Sequence, residues 1–373
     1  MPRAAVINEP HQPIEVVDLP AAPMEPGSVL LETLYSEVCG TDVHLWHGRL
    51  AGVPYPIIPG HVSVGRVAEL AGTVRYATGR EVVVGDVVTF LDVHETCQHC
   101  WYCLVAKAST RCPSRKVYGI TYSSQQGLLG GWAEQIYLKP GVKIIPLPAE
   151  MPPERFIAAG CALPTSLHAI DRADVRLGDT VVVQGAGPVG LNAALLASFS
   201  GAGRVIVVDR NPQRLDVARR MGLDDVVTLD ESADGDEVPG HVVQVMEWTG
   251  GRGADVTIEA TGAPSAVCDG FRLTRDGGRY VIVGHYTDTG TVPVNPHLDI
   301  NQKHLEIRGV WGSDFSHFHR SVQLVDRFND RIPNGGWEQL ISGRYALSDM
   351  NEALAEVAAG RSVKLLVEPH RSQ

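Results

Sequence analysis

Thr180-Val181-Val182-Val183-Gln184-Gly185-Ala186-Gly187-Pro188-Val189-Gly190-Leu191-Asn192-Ala193-Ala194-Leu195-Leu196-Ala197 is the stretch whose reading decides the fold. A short β-branched run passes through a glycine-rich turn into an Ala/Leu-rich run, in the order strand, turn, helix. In that context each glycine of a Gly-x-Gly-x-x-Gly has a physical task. Gly185 permits the tight turn, Gly187 lets backbone approach a pyrophosphate, and Gly190 lets the helix pack on the strand. Pro188 and Val189 open the helix, whose unpaired N–H groups and dipole favour negative charge. A second strand, residues 204–208, ends at Asp209, nineteen residues after Gly190. A carboxylate there accepts hydrogen bonds from an adenosine ribose and repels a 2′-phosphate, so NAD is the expected cofactor and NADP the less favoured one. Arg210 argues the other way, since an arginine beside that carboxylate accommodates the phosphate. Arg214, one turn on, is taken with the same site.

Outward from this turn the alternation continues. Residues 212–221 read as a helix and 255–259 and 279–284 as further strands, the pattern of a parallel, doubly wound sheet. Residues 230–239, acidic and glycine-containing, read as an exposed loop. The 373 residues, 44% hydrophobic, suit two or three domains with ample core. A balance of 32 basic against 43 acidic residues, net −11, offers no general attraction to phosphate backbones, so nucleic acid is not an expected partner. The apolar runs fall far short of the ~20 residues that cross a bilayer. The first residues carry no continuous apolar signal core. The expectation is a soluble, cytoplasmic chain acting on a small molecule, with no membrane partner.

Four of the seven cysteines lie close together, at Cys97, Cys100, Cys103 and Cys112. Three thiols at Cys-x-x-Cys spacing in a non-secreted chain are placed to converge on one tetrahedral soft cation, the pattern of a structural zinc lobe. Free buried thiols, an oxidised cluster or an iron–sulfur cluster are the alternatives. Four sulfurs fill the coordination shell, so this metal would hold a loop and leave no position for substrate. The others are scattered. Cys39 opens Cys39-Gly40-Thr41-Asp42-Val43-His44, His61 follows Pro59-Gly60, and Cys161 lies in Gly160-Cys161-Ala162. Two thiolates and one imidazole would make a catalytic zinc site with an open fourth position, but spacing alone leaves open whether they meet.

Taken together, the dinucleotide turn, the four-cysteine lobe and the Cys39 motif resemble a zinc-dependent alcohol dehydrogenase of the medium-chain dehydrogenase/reductase superfamily, over nearly the full chain. The resemblance implies an α/β protein. A GroES-like β-barrel catalytic domain, residues 1–163 and 308–373, would be interrupted by a Rossmann domain of doubly wound parallel sheet, residues 164–307. It makes Cys39, His61 and Cys161 the catalytic-zinc ligands and Cys97, Cys100, Cys103 and Cys112 the structural-zinc ligands, two zincs per chain. The gap before Cys112 is one residue longer than usual, so a bulged loop is expected. Thr41 matches the hydroxyl beside the substrate oxygen, His44 the outer end of a proton relay, and Asp42 the carboxylate that orients the histidine ligand. Val283 matches the strand end beside the nicotinamide, and Lys364 a basic residue reaching the pyrophosphate.

One departure stands out. The family usually has Gly-His-Glu, with the carboxylate behind the metal, whereas here Val62 follows His61. The implied reaction moves a hydride between an alcohol and nicotinamide, giving an aldehyde or ketone. Trp46 and His47, together with Val62 and Trp132, are expected to line the pocket, which favours a secondary, bulky or polyol-like alcohol. The rival readings are a zinc-free quinone or enoyl reductase on the same scaffold and a non-catalytic NAD(H)-sensing protein. A homodimer or homotetramer is expected, formed by pairing the edges of the cofactor sheets.

Overall fold

The computed structural model describes residues 1–229 and 238–371; the acidic loop expected at 230–239 lies outside them apart from its last two residues. Two compact units divide the chain. One comprises Met1–Cys161, Asp314–Asn329 and Leu340–Gln373, the other Ala162–Ser313 and Asp330–Gln339.

The second unit is built on the stretch quoted above. Its six strands run in the order Val226–Thr228, Arg204–Asp209, Thr180–Gln184, Ala254–Glu259, Thr274–Ile282, Glu306–Gly309, each parallel to its neighbour. Val181, Val182 and Val183 are fully buried, as expected of a central parallel strand covered on both faces. Chain order reverses on either side of Thr180–Gln184, so its C-terminal end is the switch point where such sheets open a crevice for ligand. The helix Pro188–Phe199 starts there, with Gly187 as N-cap and proline in the first turn. A Cβ on Gly190 would lie 1.7 Å from the Gly185 carbonyl oxygen, so only glycine lets the helix leave the turn this closely.

The boundary expected at residue 308 would cut a strand. Glu306–Gly309 hydrogen-bonds as the sixth member of this sheet, and the unit ends at Ser313. Asp330–Gln339 also belongs here. The fully buried Trp337 donates its indole N–H to Asn192 Oδ1 at 2.8 Å, and the Asn334 amide donates to the Arg220 carbonyl at 2.8 Å. No periodicity marks so short a return.

The first unit holds a seven-stranded sheet in the order Ile341–Tyr345, Lys364–Val367, Val29–Val38, Ser63–Leu70, Val87–Phe90, Ile144–Pro146, with Gln135–Leu138 also paired to Val29–Val38. All pairs are antiparallel except the first. Ile7, Leu31, Leu45, Phe90, Tyr118 and Trp132 fill the interior of this unit. The central strand Val29–Val38 runs straight into Cys39, which is how the barrel positions the site. Among the described residues no helix is long and apolar enough to cross a membrane.

Candidate active site and cofactor turn

Three segments far apart in sequence bring their donors together in the first unit. Cys39 leaves Val29–Val38 in extended conformation (φ −136°, ψ 179°) and caps the short helix Gly40–Trp46. His61 sits just before Ser63–Leu70, and Cys161 follows Gly160 at the end of Pro153–Ala159. The donor atoms of Cys39, His61 and Cys161 all lie within 4.8 Å of one another. Cys39 and His61 are nearly buried, at 8% and 7% exposure, while Cys161 is partly open. His61 Nδ1 is buried with no hydrogen-bond partner.

The electrostatics are those of donors trading protons. A hydrogen bond from the Cys161 thiol holds Cys39 well below the usual thiol range, whereas Cys161 is pushed well above it by the same contact. Burial opposes charge on His61, yet the adjacent Cys39 thiolate outweighs it and raises the imidazole to about 10. A divalent cation satisfies such a set by replacing its protons. Two soft sulfurs and one imidazole are the donor chemistry of a catalytic zinc, so the residues fit that metal.

Asp42 does not sit where expected. Its carboxylate accepts the Cys39 N–H at 2.8 Å and the Gly60 N–H at 3.4 Å, and it makes no hydrogen bond to the His61 ring. It therefore orients the backbone on the approach to two donors, because a carboxylate in the first turn of a helix finds the N-cap amide nearer than a ring on another segment. Thr41 and His44 lie three apart on the same helix and so share a face. Burial lowers His44 below the ordinary 6.5, and the positive Arg49 adds to this.

Two expected pocket residues are engaged by neighbouring groups. The Trp46 indole donates to the Gln12 carbonyl at 2.9 Å and packs edge-on against His11 and His47, at 5.2 and 4.9 Å between centroids. His47 Nδ1 lies 2.8 Å from the Val43 carbonyl. The two rings tie the N-terminal segment to the helix. Trp132 and Val62 are fully buried and are core; the Trp132 indole donates to the Glu37 carbonyl at 2.9 Å.

Lys364 is likewise relocated. It is 1% exposed, with its ammonium on the carboxylate of the fully buried Glu37, so it is committed to the interior of the first unit and not to a phosphate. Glu37 was missed in the sequence. The available signal was an acidic residue two positions before Cys39, at the end of a mostly apolar strand.

The remaining lobe assembles from local spacing. The sulfurs of Cys97, Cys100, Cys103 and Cys112 lie within 4.8 Å of one another, and the Cys97 N–H donates to Cys112 Sγ at 3.3 Å. Cys100 caps the turn Trp101–Leu104, and the longer gap is taken up by Lys107 in left-handed conformation and the 3₁₀ turn Ser109–Arg111. Four converging thiols fit a closed tetrahedral zinc.

In the second unit Gly187 caps Pro188–Phe199 without any side-chain hydrogen bond, so its first-turn amides are not covered by a capping side chain. A Cβ on Gly187 would meet only Arg214 Nη1, at 3.7 Å, which leaves the backbone open to a pyrophosphate. The buried Asp209 is fixed by the N–H groups of Ala186 at 2.6 Å and Asn211 at 2.7 Å. Arg210 and Arg214 both interact electrostatically within this corner. Val283, at the end of Thr274–Ile282, donates its N–H to the Glu259 carbonyl at 2.9 Å. This set fits a dinucleotide.

Comparison with known proteins agrees with both halves. Residues 25–149 match the family model described as alcohol dehydrogenase GroES-like domain, and residues 188–327 that described as zinc-binding dehydrogenase. The 5-exo-hydroxycamphor dehydrogenase of Pseudomonas putida is 36% identical, covering 98% of each chain. The crystal structure of an alcohol dehydrogenase from Thermotoga maritima superposes with a TM-score of 0.91 at 32% identity, covering 99% of each chain. A zinc-binding dehydrogenase structure from Sinorhizobium meliloti bound to NADP superposes at 0.83 with 28% identity, covering 99% of this chain and 100% of that one.

Proposed function

The chain belongs to the zinc-binding alcohol dehydrogenases of the medium-chain dehydrogenase/reductase superfamily and acts on CH–OH donors, and from that premise we propose that it interconverts a bulky secondary alcohol and its ketone with NAD. The observation that carries the proposal is the convergence of Cys39, His61 and Cys161. Cys39, His61 and Cys161 would hold a zinc that would supply Lewis-acid polarisation of the substrate hydroxyl, and the Gly185–Gly190 turn would hold the NAD that would supply the hydride acceptor. Cys97, Cys100, Cys103 and Cys112 would hold a second zinc that would fix the lobe. Thr41 presents its hydroxyl to the substrate oxygen and receives its proton. His44, on the same helical face, passes that proton to solvent. Burial, which lowers His44 below its ordinary 6.5, favours the neutral ring that accepts it.

The sign of the pH effect follows from that shift. The acid limb of kcat for alcohol oxidation is expected below pH 6.5, where His44 takes up a proton and stops accepting. His44→Ala is expected to lose about 10-fold in kcat at pH 7, less than the 10²–10⁴ of a direct general base because water can stand in at the outer end. A pH–rate profile that keeps its acid limb in the variant would remove His44 from the relay.

The substrate class rests on the relative named for 5-exo-hydroxycamphor, an alcohol borne on a ring carbon. A panel of primary, acyclic secondary and cyclic secondary alcohols, polyols and hydroxy amino acids, each with NAD and NADP, tests it alongside metal analysis. Cyclic secondary alcohols are expected to lead primary alcohols by about 10-fold or more in kcat/KM. A lead for polyols or hydroxy amino acids, or a chain without zinc, overturns the reading. Asp209→Ala is expected to reduce the NAD:NADP ratio of kcat/KM by about 10-fold or more, since a charged hydrogen-bond acceptor is worth ~1.5–3 kcal/mol. An unchanged ratio would leave the choice to Arg210 and Arg214. The edge strand Glu306–Gly309, mostly exposed with Ile307 at 40%, supports pairing of two copies edge to edge, which sedimentation would register as a homodimer or a homotetramer.

A further inference from the structure

An ion pair that the reaction does not use is buried beside the three-donor cluster. Glu37 stands at register with Leu366 where Val29–Val38 pairs with Lys364–Val367, and both Glu37 and Lys364 are sealed from solvent. The Lys364 ammonium donates to Glu37 Oε2, and Glu37 Oε1 accepts the backbone N–H of Cys161 at 2.9 Å. Gly160 passes so close that a Cβ there would lie 2.8 Å from Lys364 Nζ and nearer still to the Glu37 carboxylate. Glu37 is not one of the donors that converge within 4.8 Å. Desolvating two charges costs about as much as their attraction returns, so such a pair is a poor device for stability alone. A charged acceptor that fixes a ligand's backbone is a good device for position.

We propose that Glu37 and Lys364 are the positioning pair of the Cys161 ligand. Glu37 pins the Cys161 amide, and Lys364 locks Glu37 in that rotamer while adding positive charge on the side of the two sulfurs. The inference rests on the zinc reading of Cys39, His61 and Cys161.

The test is zinc release from the purified holoenzyme to a chromophoric chelator, with the four-cysteine zinc as internal control. Lys364→Met is expected to release the three-donor zinc ~10-fold faster or more, the usual penalty for losing a partner of a metal ligand, and Lys364→Arg to restore most of the retention. Glu37→Asp keeps the charge but withdraws the carboxylate from Cys161, and the double variant Glu37→Gln/Lys364→Met leaves no buried charge unpaired. These two are expected to fold and still to release zinc faster, and to shift the thiolate-to-metal band of the cobalt-substituted protein. Folded variants with wild-type release and an unshifted band overturn the proposal and leave the pair structural. A wild-type protein holding no metal at the three donors overturns the zinc reading instead.

Discussion

Cys161→Ser is expected to lower kcat/KM by at least about 10³-fold, with NAD affinity unchanged and the thermal midpoint little moved. Lewis-acid polarisation is worth several kcal/mol, and each 1.36 kcal/mol is a factor of ten in rate. A serine hydroxyl in place of a thiolate forfeits one of only three protein donors; Val62 offers no carboxylate behind the site, and Glu37 is occupied by the Cys161 amide and Lys364. The fold should tolerate the exchange because Cys161 is partly exposed and its backbone contact with Glu37 survives. Zinc stoichiometry, steady-state rates and calorimetric NAD titration on the same preparation check it. The variant should carry one zinc per chain, that of the four-cysteine lobe. Undiminished turnover would exclude Cys161 from the site, and loss of both zincs would mean that the variant had unfolded.

The second large effect is expected at the cofactor turn. Gly190→Ala places a Cβ 1.7 Å from the Gly185 carbonyl oxygen, a distance no relaxation of side chains can relieve because the obstacle is backbone. Either the helix Pro188–Phe199 withdraws from the strand end or the turn opens. Overpacking of this kind costs about 1–3 kcal/mol, and since the displaced element is the one that presents its amides to phosphate, we expect a loss of roughly 10- to 100-fold in NAD affinity. The strained unit has a buried helix to hold in place, so the thermal midpoint should fall as well. Wild-type NAD affinity in the variant would mean that the dinucleotide does not use this turn. Gly187→Ala provides the contrast. Its Cβ meets only the end of the Arg214 side chain at 3.7 Å, so any loss of NAD affinity there comes from the cofactor's own approach and not from the apo fold.

The two sites differ in how far the residues announce them. The parallel sheet, the glycine turn and the four-cysteine lobe were legible because each is specified within a short window. A β-branched strand buried on both faces, a turn that tolerates no Cβ, and thiols two residues apart carry their geometry in their spacing. Asp42 was expected to orient the His61 ring, and its partners were not readable from the sequence. Its choice of the Cys39 and Gly60 amides over the His61 ring depends on how the segment before Ser63–Leu70 docks. Trp46 and His47 sit next to the relay motif in sequence, yet ring packing with His11 takes them into a surface cluster.

The sequence by itself determined the alternation of strand and helix, the dinucleotide turn with its acidic neighbour, and the local cysteine lobe, since hydrogen-bonding pattern, burial period and ligand spacing all act over a few residues. Only the tertiary structure decided that Cys39, His61 and Cys161 meet, that Lys364 turns inward to Glu37 327 positions away, and that a ten-residue return at Asp330–Gln339 serves the cofactor unit. Those pairings are fixed by sheet closure and core packing. Antiparallel registry along Val29–Val38 carries one donor and one carboxylate to the same end of the barrel, and burial forces an ammonium without solvent to find the carboxylate on the neighbouring strand.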